Sequence, residues 1–317
     1  MVHGVALVLG GGGAAGNAWE IGIIAGLAEA GLDLTQAADL VVGTSAGATT
    51  AAWVRSGIPA AELLASVLSE PVRPAGTPGK PGRPGPSGPP DPSAQRPPSP
   101  PMTTLFERMR AIGAAATSAA DLQRAMGAFG LESDAALGPA VAEQRRAMVA
   151  ARLPRHEWPD RPMIVVAVNA HTGELATFDR ESGVDLVDAL TAAIALPGGS
   201  PTHDINGIRY INGGVRSGEN ADLASGYAQV VVLSPFSERS GPLPEGQFEG
   251  LRRFPGADLA SQVEGLRQQG SHVEVITPDA DSRAAMGTNQ MDPATRVPSA
   301  RAGFAQGKRE AARVTFR

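Results

Sequence analysis

Two short stretches of this chain carry residues that could do chemistry. Ser45 lies in Gly43-Thr44-Ser45-Ala46-Gly47, a G-x-S-x-G pentapeptide, and the glycine run Gly10-Gly11-Gly12-Gly13-Ala14-Ala15-Gly16 precedes it. A serine flanked by small residues between a strand and a helix is the setting of a nucleophile elbow, because so sharp a turn has no room for bulky neighbours. Taken alone, the pentapeptide serves as well for a serine that caps the next helix. The glycine run shifts the balance toward acyl chemistry. With no side chains in the way, its backbone N–H groups at a helix N-terminus can hold an anion, and serine acyl transfer needs such donors for its tetrahedral oxyanion. Gly11-x-Gly13-x-x-Gly16 also has the spacing of a dinucleotide fingerprint, but the second expected strand ends in Gly43, where a ribose-binding carboxylate is wanted.

A nucleophilic serine needs a base. The five histidines are His3 ahead of the first strand, His156 and His203 in expected loops, His171 in a turn and His272 at the start of a late strand. A Ser-His-Asp hydrolase with the chain order Ser, acid, His would leave His272 as the late candidate. The 317 residues include no cysteine, which rules out disulfides, thiolate metal sites, iron–sulfur clusters and cysteine nucleophiles. A formal charge of −5 without any dense basic run argues against a nucleic-acid partner. The N-terminus lacks the basic region of a secretory signal, and no window approaches the roughly 18 apolar residues of a membrane span. The expectation is a soluble cytoplasmic protein.

The elements that must position these residues alternate between strand and helix. Strands are expected at 5–9, 40–42, 163–169, 175–178, 208–211, 230–233 and 273–276, with 163–178 forming a hairpin. Helices are expected at 17–30, capped by Asn17 and followed by Gly31, and at 46–55, 104–110, 119–129, 137–153, 184–195, 258–269 and 300–314. Such alternation implies a mostly parallel or mixed sheet with helices on both faces, and both glycine turns would lie at the carboxyl ends of strands, where ligands collect. One stretch breaks the pattern. Residues 71–101 hold 13 of the 27 prolines and five glycines, a composition expected to be disordered.

Together these marks resemble the patatin-like phospholipase family: a glycine-rich oxyanion loop after the first strand, an elbow serine, and a late D-G-G or D-G-A motif whose aspartate is the base of a Ser-Asp dyad. The resemblance spans roughly residues 1–57 and 162–235, including Trp19-Glu20-Ile21-Gly22 and Asn220-Ala221-Asp222-Leu223. It implies a three-layer α/β/α fold, with 1–317 a single patatin-like domain interrupted by the 71–101 insertion and a helical, lid-like segment at 102–155. By the same resemblance Ser45 attacks the ester carbonyl of a lipid or phospholipid, Gly11, Gly12 and Gly13 form the oxyanion hole, no metal or organic cofactor takes part, and contact with a membrane surface is transient. The chain departs from the family twice. Ala15 stands where the loop often carries Arg or Lys, and Asn212, in Tyr210-Ile211-Asn212-Gly213-Gly214, stands where the family has its aspartate. An amide cannot take a proton from serine at neutral pH, so hydrolysis is expected to be absent or impaired; a non-catalytic lipid-binding or regulatory protein is the alternative, and a dinucleotide-binding oxidoreductase ranks behind it. Asp204 and Asp222 flank the motif and are weak substitutes.

Overall fold

The computed structural model describes residues 2–71, 102–236 and 254–314. From residue 72 onward, the Pro/Gly-rich segment expected to be disordered lies outside the described residues. In chain order the strands are β1 Val2–Leu9, β2 Leu40–Thr44, β3 Met163–Asn169, β4 Leu175–Phe178, β5 His203–Ile205, β6 Ile208–Asn212, β7 Tyr227–Leu233 and β8 His272–Ile276. The helices are α1 Gly13–Glu29, α2 Leu34–Ala37, α3 Ala46–Val54, α4 Ala60–Leu68, α5 Met102–Ala115, α6 Ala119–Leu137, α7 Pro139–Ala150, α8 Leu186–Ala193, α9 Leu259–Gln268, α10 Ala280–Met286 and α11 Arg296–Glu310.

The strands form one sheet in the order β5-β6-β3-β2-β1-β7-β8, with β4 also paired to β3. β8, β7, β1, β2 and β3 run parallel, while β4, β5 and β6 add antiparallel pairs. The register brings two strands together end to end. β3 pairs with β4 from Val165 to Val168, which occupies one edge, so its partners on the other edge are β2, ending with Thr44 opposite Val166, and β6, ending with Asn212 opposite Ala167. Ser45 and Asn212 are therefore delivered to the same point from opposite directions.

Side chains alternate across the sheet, as the two-residue period of a strand requires. Leu7, Leu9, Val41, Val165 and Val231 pack with α1, α3, α4, α8 and α11 on one face. Ala6, Val8, Val42, Val166 and Val232 pack with α9 on the other. On that second side, Leu105 and Met109 of α5 and Leu122, Met126 and Phe129 of α6 cover Val168, Ala170 and Ile211. The result is the three-layer α/β/α arrangement expected from the sequence. α1 is buried from Ala15 to Leu27 because it lies between the sheet and α11. The two helices touch through glycines: a Cβ on Gly22 would sit 2.3 Å from Ala300 O, on Gly26 2.3 Å from Phe304 O, on Gly303 2.5 Å from Trp19 O and on Gly307 2.4 Å from Ile23 O.

Several expectations need correction. α1 starts at Gly13 with Gly12 at its cap position, so Asn17 is not a cap. Inside the helix, Asn17 donates to Thr50 Oγ1 (2.8 Å) and accepts from Arg296 (2.7 Å). His203 opens β5 and is not in a loop, and α2, α4 and α10 were not anticipated. α11 begins at Arg296, before the expected 300, and Pro298 fits its first turn because an N–H there has no helical acceptor.

Candidate active site

Ser45 follows β2 and precedes α3, with φ 55 and ψ −120, one of three non-glycine residues with positive φ among those described. It makes no capping bond to α3. Its side chain therefore does not cap α3, and its positive φ is the strained backbone that a sharp strand-to-helix turn requires. The small flanking residues are needed for contact, since a Cβ on Gly47 would meet Leu9 O at 2.2 Å and one on Gly43 would meet Ala48 Cα at 2.5 Å.

Asn212 ends β6 and lies 2.9 Å from Ser45, through its Nδ2 to Ser45 Oγ. Its other amide atom fixes this orientation. Oδ1 accepts from the Gly214 N–H at 2.7 Å, and an N–H needs an acceptor, so the NH₂ group must face the serine. Asn212 is 7% exposed. The serine oxygen thus receives a hydrogen bond where a base would have to accept one.

The glycine loop passes beside this pair. A Cβ on Gly11 would lie 3.5 Å from Ser45 Cβ, but the Gly11 N–H donates to Gly218 O at 2.8 Å and is engaged within the fold. Gly12 and Gly13 differ, because they stand at the cap and first position of α1, whose opening N–H groups have no helical acceptors. A Cβ on Gly12 would run into Gly16 Cα at 2.5 Å and Pro235 Cβ at 2.7 Å, and Gly13 has φ +60 with Met291 Sδ 2.7 Å from where a Cβ would be. Gln290 O takes the Ala15 N–H at 3.0 Å. Ala15 is fully buried, so the arginine or lysine common at this point in the family would not fit unaltered. This contact from the segment before α11 had no signal in the sequence.

His272 and His203 are engaged elsewhere in the fold. His272 pairs in register with Gln229, and Gln229 with Val5, which places it at the amino end of the parallel strands, whereas Ser45 follows their carboxyl end. His203 Nε2 lies 2.9 Å from Asp188 Oδ1 on α8, and burial lowers its pKa although Asp188 pulls the other way. Asp222 is paired with Arg216 at 2.6 Å, and Asp204 lies 3.5 Å from Arg209 on the outer hairpin. Among the described residues no group of three His, Asp or Glu is arranged to hold a metal, and no helix is long and apolar enough to cross a membrane.

A serine on a sharp strand-to-helix turn and a glycine-rich helix N-terminus thus lie together at the carboxyl end of a three-layer α/β/α sheet. The patatin-like phospholipase family matches residues 7–225, more than half of the chain. The chain belongs to that family. Solved structures similar to it include VipD from Legionella pneumophila, with a TM-score of 0.39, 12% identity, and coverage of 98% of this chain and 67% of that one. The type III effector protein ExoU has a TM-score of 0.34 and 16% identity over 96% of this chain, which spans 53% of ExoU's length. No curated protein sequence matches the chain.

Proposed function

We propose that the chain is a serine acyl-ester hydrolase of the phospholipase A or lysophospholipase kind, complete except for its base. Ser45 is the nucleophile, residue 212 is the base position, and Gly12 and Gly13 are the oxyanion donors, with Gly11 keeping clear the space beside the serine. The observation that carries this reading is the 2.9 Å approach of Asn212 Nδ2 to Ser45 Oγ, with Oδ1 held by Gly214. An aspartate in the same place would accept from Gly214 with one oxygen and from the serine with the other. It could then take the serine proton as the ester is attacked and later activate water on the acyl-enzyme. As the chain stands, that proton has nowhere to go.

The substrate class is a lipid or phospholipid acyl ester met at a membrane surface by an otherwise cytoplasmic protein. α5 and α6 support a lid-like role within a single domain, because Leu105 and Phe129 pack on Gly198 and the same layer covers Ile211, next to Asn212. The donor facing Ser45 also favours a second reading, a protein that binds lipid without cleaving it.

The test is hydrolysis of p-nitrophenyl butyrate by the parent chain and by Asn212→Asp. Restoring a base should raise turnover by about 10²- to 10⁴-fold, and adding Ser45→Ala should abolish it. A folded Asn212→Asp variant as inert as the parent would reject the dyad. Phosphatidylcholine vesicles bound by that inert variant would then support the binding reading.

A further inference from the structure

The turn at residues 217–220 touches all three parts of the site. Gly218 O accepts the Gly11 N–H at 2.8 Å, and Glu219 O accepts the Thr44 hydroxyl at 3.0 Å. Asn220 Nδ2 lies 3.0 Å from Thr44 Oγ1, 2.9 Å from Ser217 O and 3.4 Å from Gly213 O. Thr44 precedes the serine and Gly213 follows Asn212, so one amide group bridges the backbones that carry the reacting pair. Its Oδ1 accepts from Arg216 at 2.7 Å.

Asn220 is fully buried and has φ 53 and ψ 43, a left-handed conformation that disfavours most side chains. Glycine would adopt it without strain, but glycine has no amide. Two of the three strained non-glycine residues described, Ser45 and Asn220, thus stand on either side of Thr44. The third, Asn206, is in the exposed Asn206-Gly207 turn between β5 and β6, a pairing that hairpin geometry favours.

We propose that Asn220 is a positioning residue that sets the distance between Ser45 and residue 212 by tying Thr44 to Gly213, while Gly218 anchors the oxyanion loop to the same turn. This rests on the reading of Ser45 and residue 212 as the reacting pair. Asn220 itself touches no reacting atom. A shift of the order of 1 Å in such a pair is enough to cost about 10²-fold in rate.

The experiment uses the full chain and two readouts. The first needs no catalysis. Asn-Gly pairs deamidate when the glycine nitrogen attacks the asparagine carbonyl carbon, expels ammonia and leaves a succinimide that water opens to aspartate or isoaspartate. In folded, aged parent protein, peptide mapping should show Asn212 converting more slowly than Asn206, whose turn is exposed. Asn220→Gly, which keeps the left-handed backbone and removes the amide, should raise conversion at 212 relative to 206 by roughly 5-fold or more, since Gly213 is released from the arrangement that pre-organises it. Should Asn220→Gly not fold, Thr44→Val removes the same tie from the other side, and Thr44→Ser retains it.

The second readout is turnover of p-nitrophenyl butyrate in the Asn212→Asp background. Thr44→Val and Asn220→Gly should lower kcat about 10- to 100-fold with KM changed less than about 3-fold, and Thr44→Ser should restore it. An unchanged 212-to-206 ratio in the folded variants overturns the positioning role, and so does an unchanged kcat. If Asn212→Asp is itself inactive, the hydrolase reading fails and the deamidation ratio alone decides about Asn220.

Discussion

At Glu20 a carboxyl group is held where water does not reach. It is fully buried in α1, and its Oε2 accepts from the Thr50 hydroxyl at 2.7 Å. Burial pushes its pKa well above the usual carboxylate range, hydrogen bonds from Thr50 and from the Gly10 backbone lower it in part, and nearby Glu219 raises it further. In the unfolded chain the group ionises first. The folded protein therefore binds the extra proton, and stability falls as pH rises from the ordinary glutamate range toward the raised folded value. Glu20→Gln should flatten this dependence, with little change in melting temperature at pH 4 and a gain at pH 8, as thermal unfolding at the two pH values would show. Close by, Gly12→Val in the Asn212→Asp background should remove esterase activity, since one lost oxyanion donor costs about 2.7 to 4 kcal/mol. The sharp turn at Ser45 and the glycine-rich stretch that leads into α1 were legible in the sequence because such turns restrict residue types. The engagement of Gly11 by Gly218 and the burial of Ala15 were not, because their partners are far away in the chain.

The strands at 163–169 and 175–178 could be read to the residue, since apolar β-branched runs bounded by turn residues have few other uses. α4 and α10 escaped notice because their signals are short, and the start of α1 was misplaced because a glycine-rich first turn has no capping side chain. The seam between α1 and α11 was also hidden. At Gly22, Gly26, Gly303 and Gly307 a carbonyl oxygen of the facing helix lies only 2.3 to 2.5 Å from where a Cβ would be. Gly26→Val or Gly307→Val should therefore cost about 1 to 3 kcal/mol or more by forcing the helices apart. Gly265 in α9 has nothing within 4 Å of its Cβ position, so Gly265→Ala should add roughly 0.5 to 1 kcal/mol. Urea denaturation of the three variants would separate these signs.

At the scale of the whole molecule, Glu70 and Met102 bracket the segment of unusual composition. Glu70 is anchored by Arg296, whose Nε lies 2.8 Å from its Oε2, and Met102 opens α5. Replacing residues 72–101 by a Gly-Ser linker of about 15 residues should leave the melting temperature within a few degrees, since the cost of closing a loop varies slowly with its length. Soluble-ester turnover in the Asn212→Asp background should also hold. A large loss of either would show that the segment packs on the core.

The meeting of β2 and β6 along one edge of β3 has a consequence for how such a protein tolerates change. The spacing of Ser45 and residue 212 is gauged by the single step from Val166 to Ala167, about 3.3 Å of strand, and not by the long stretch of chain that joins them. That stretch is free to lengthen, shorten or be interrupted while the gauge survives. A chain divided in two within residues 72–101 should then reassemble from its halves, with β3 of the second half drawing β2 of the first up against β6, and in the Asn212→Asp form esterase activity should return on mixing. By contrast, a single residue inserted into β3 would shift one strand end past the other and put every following side chain on the wrong face.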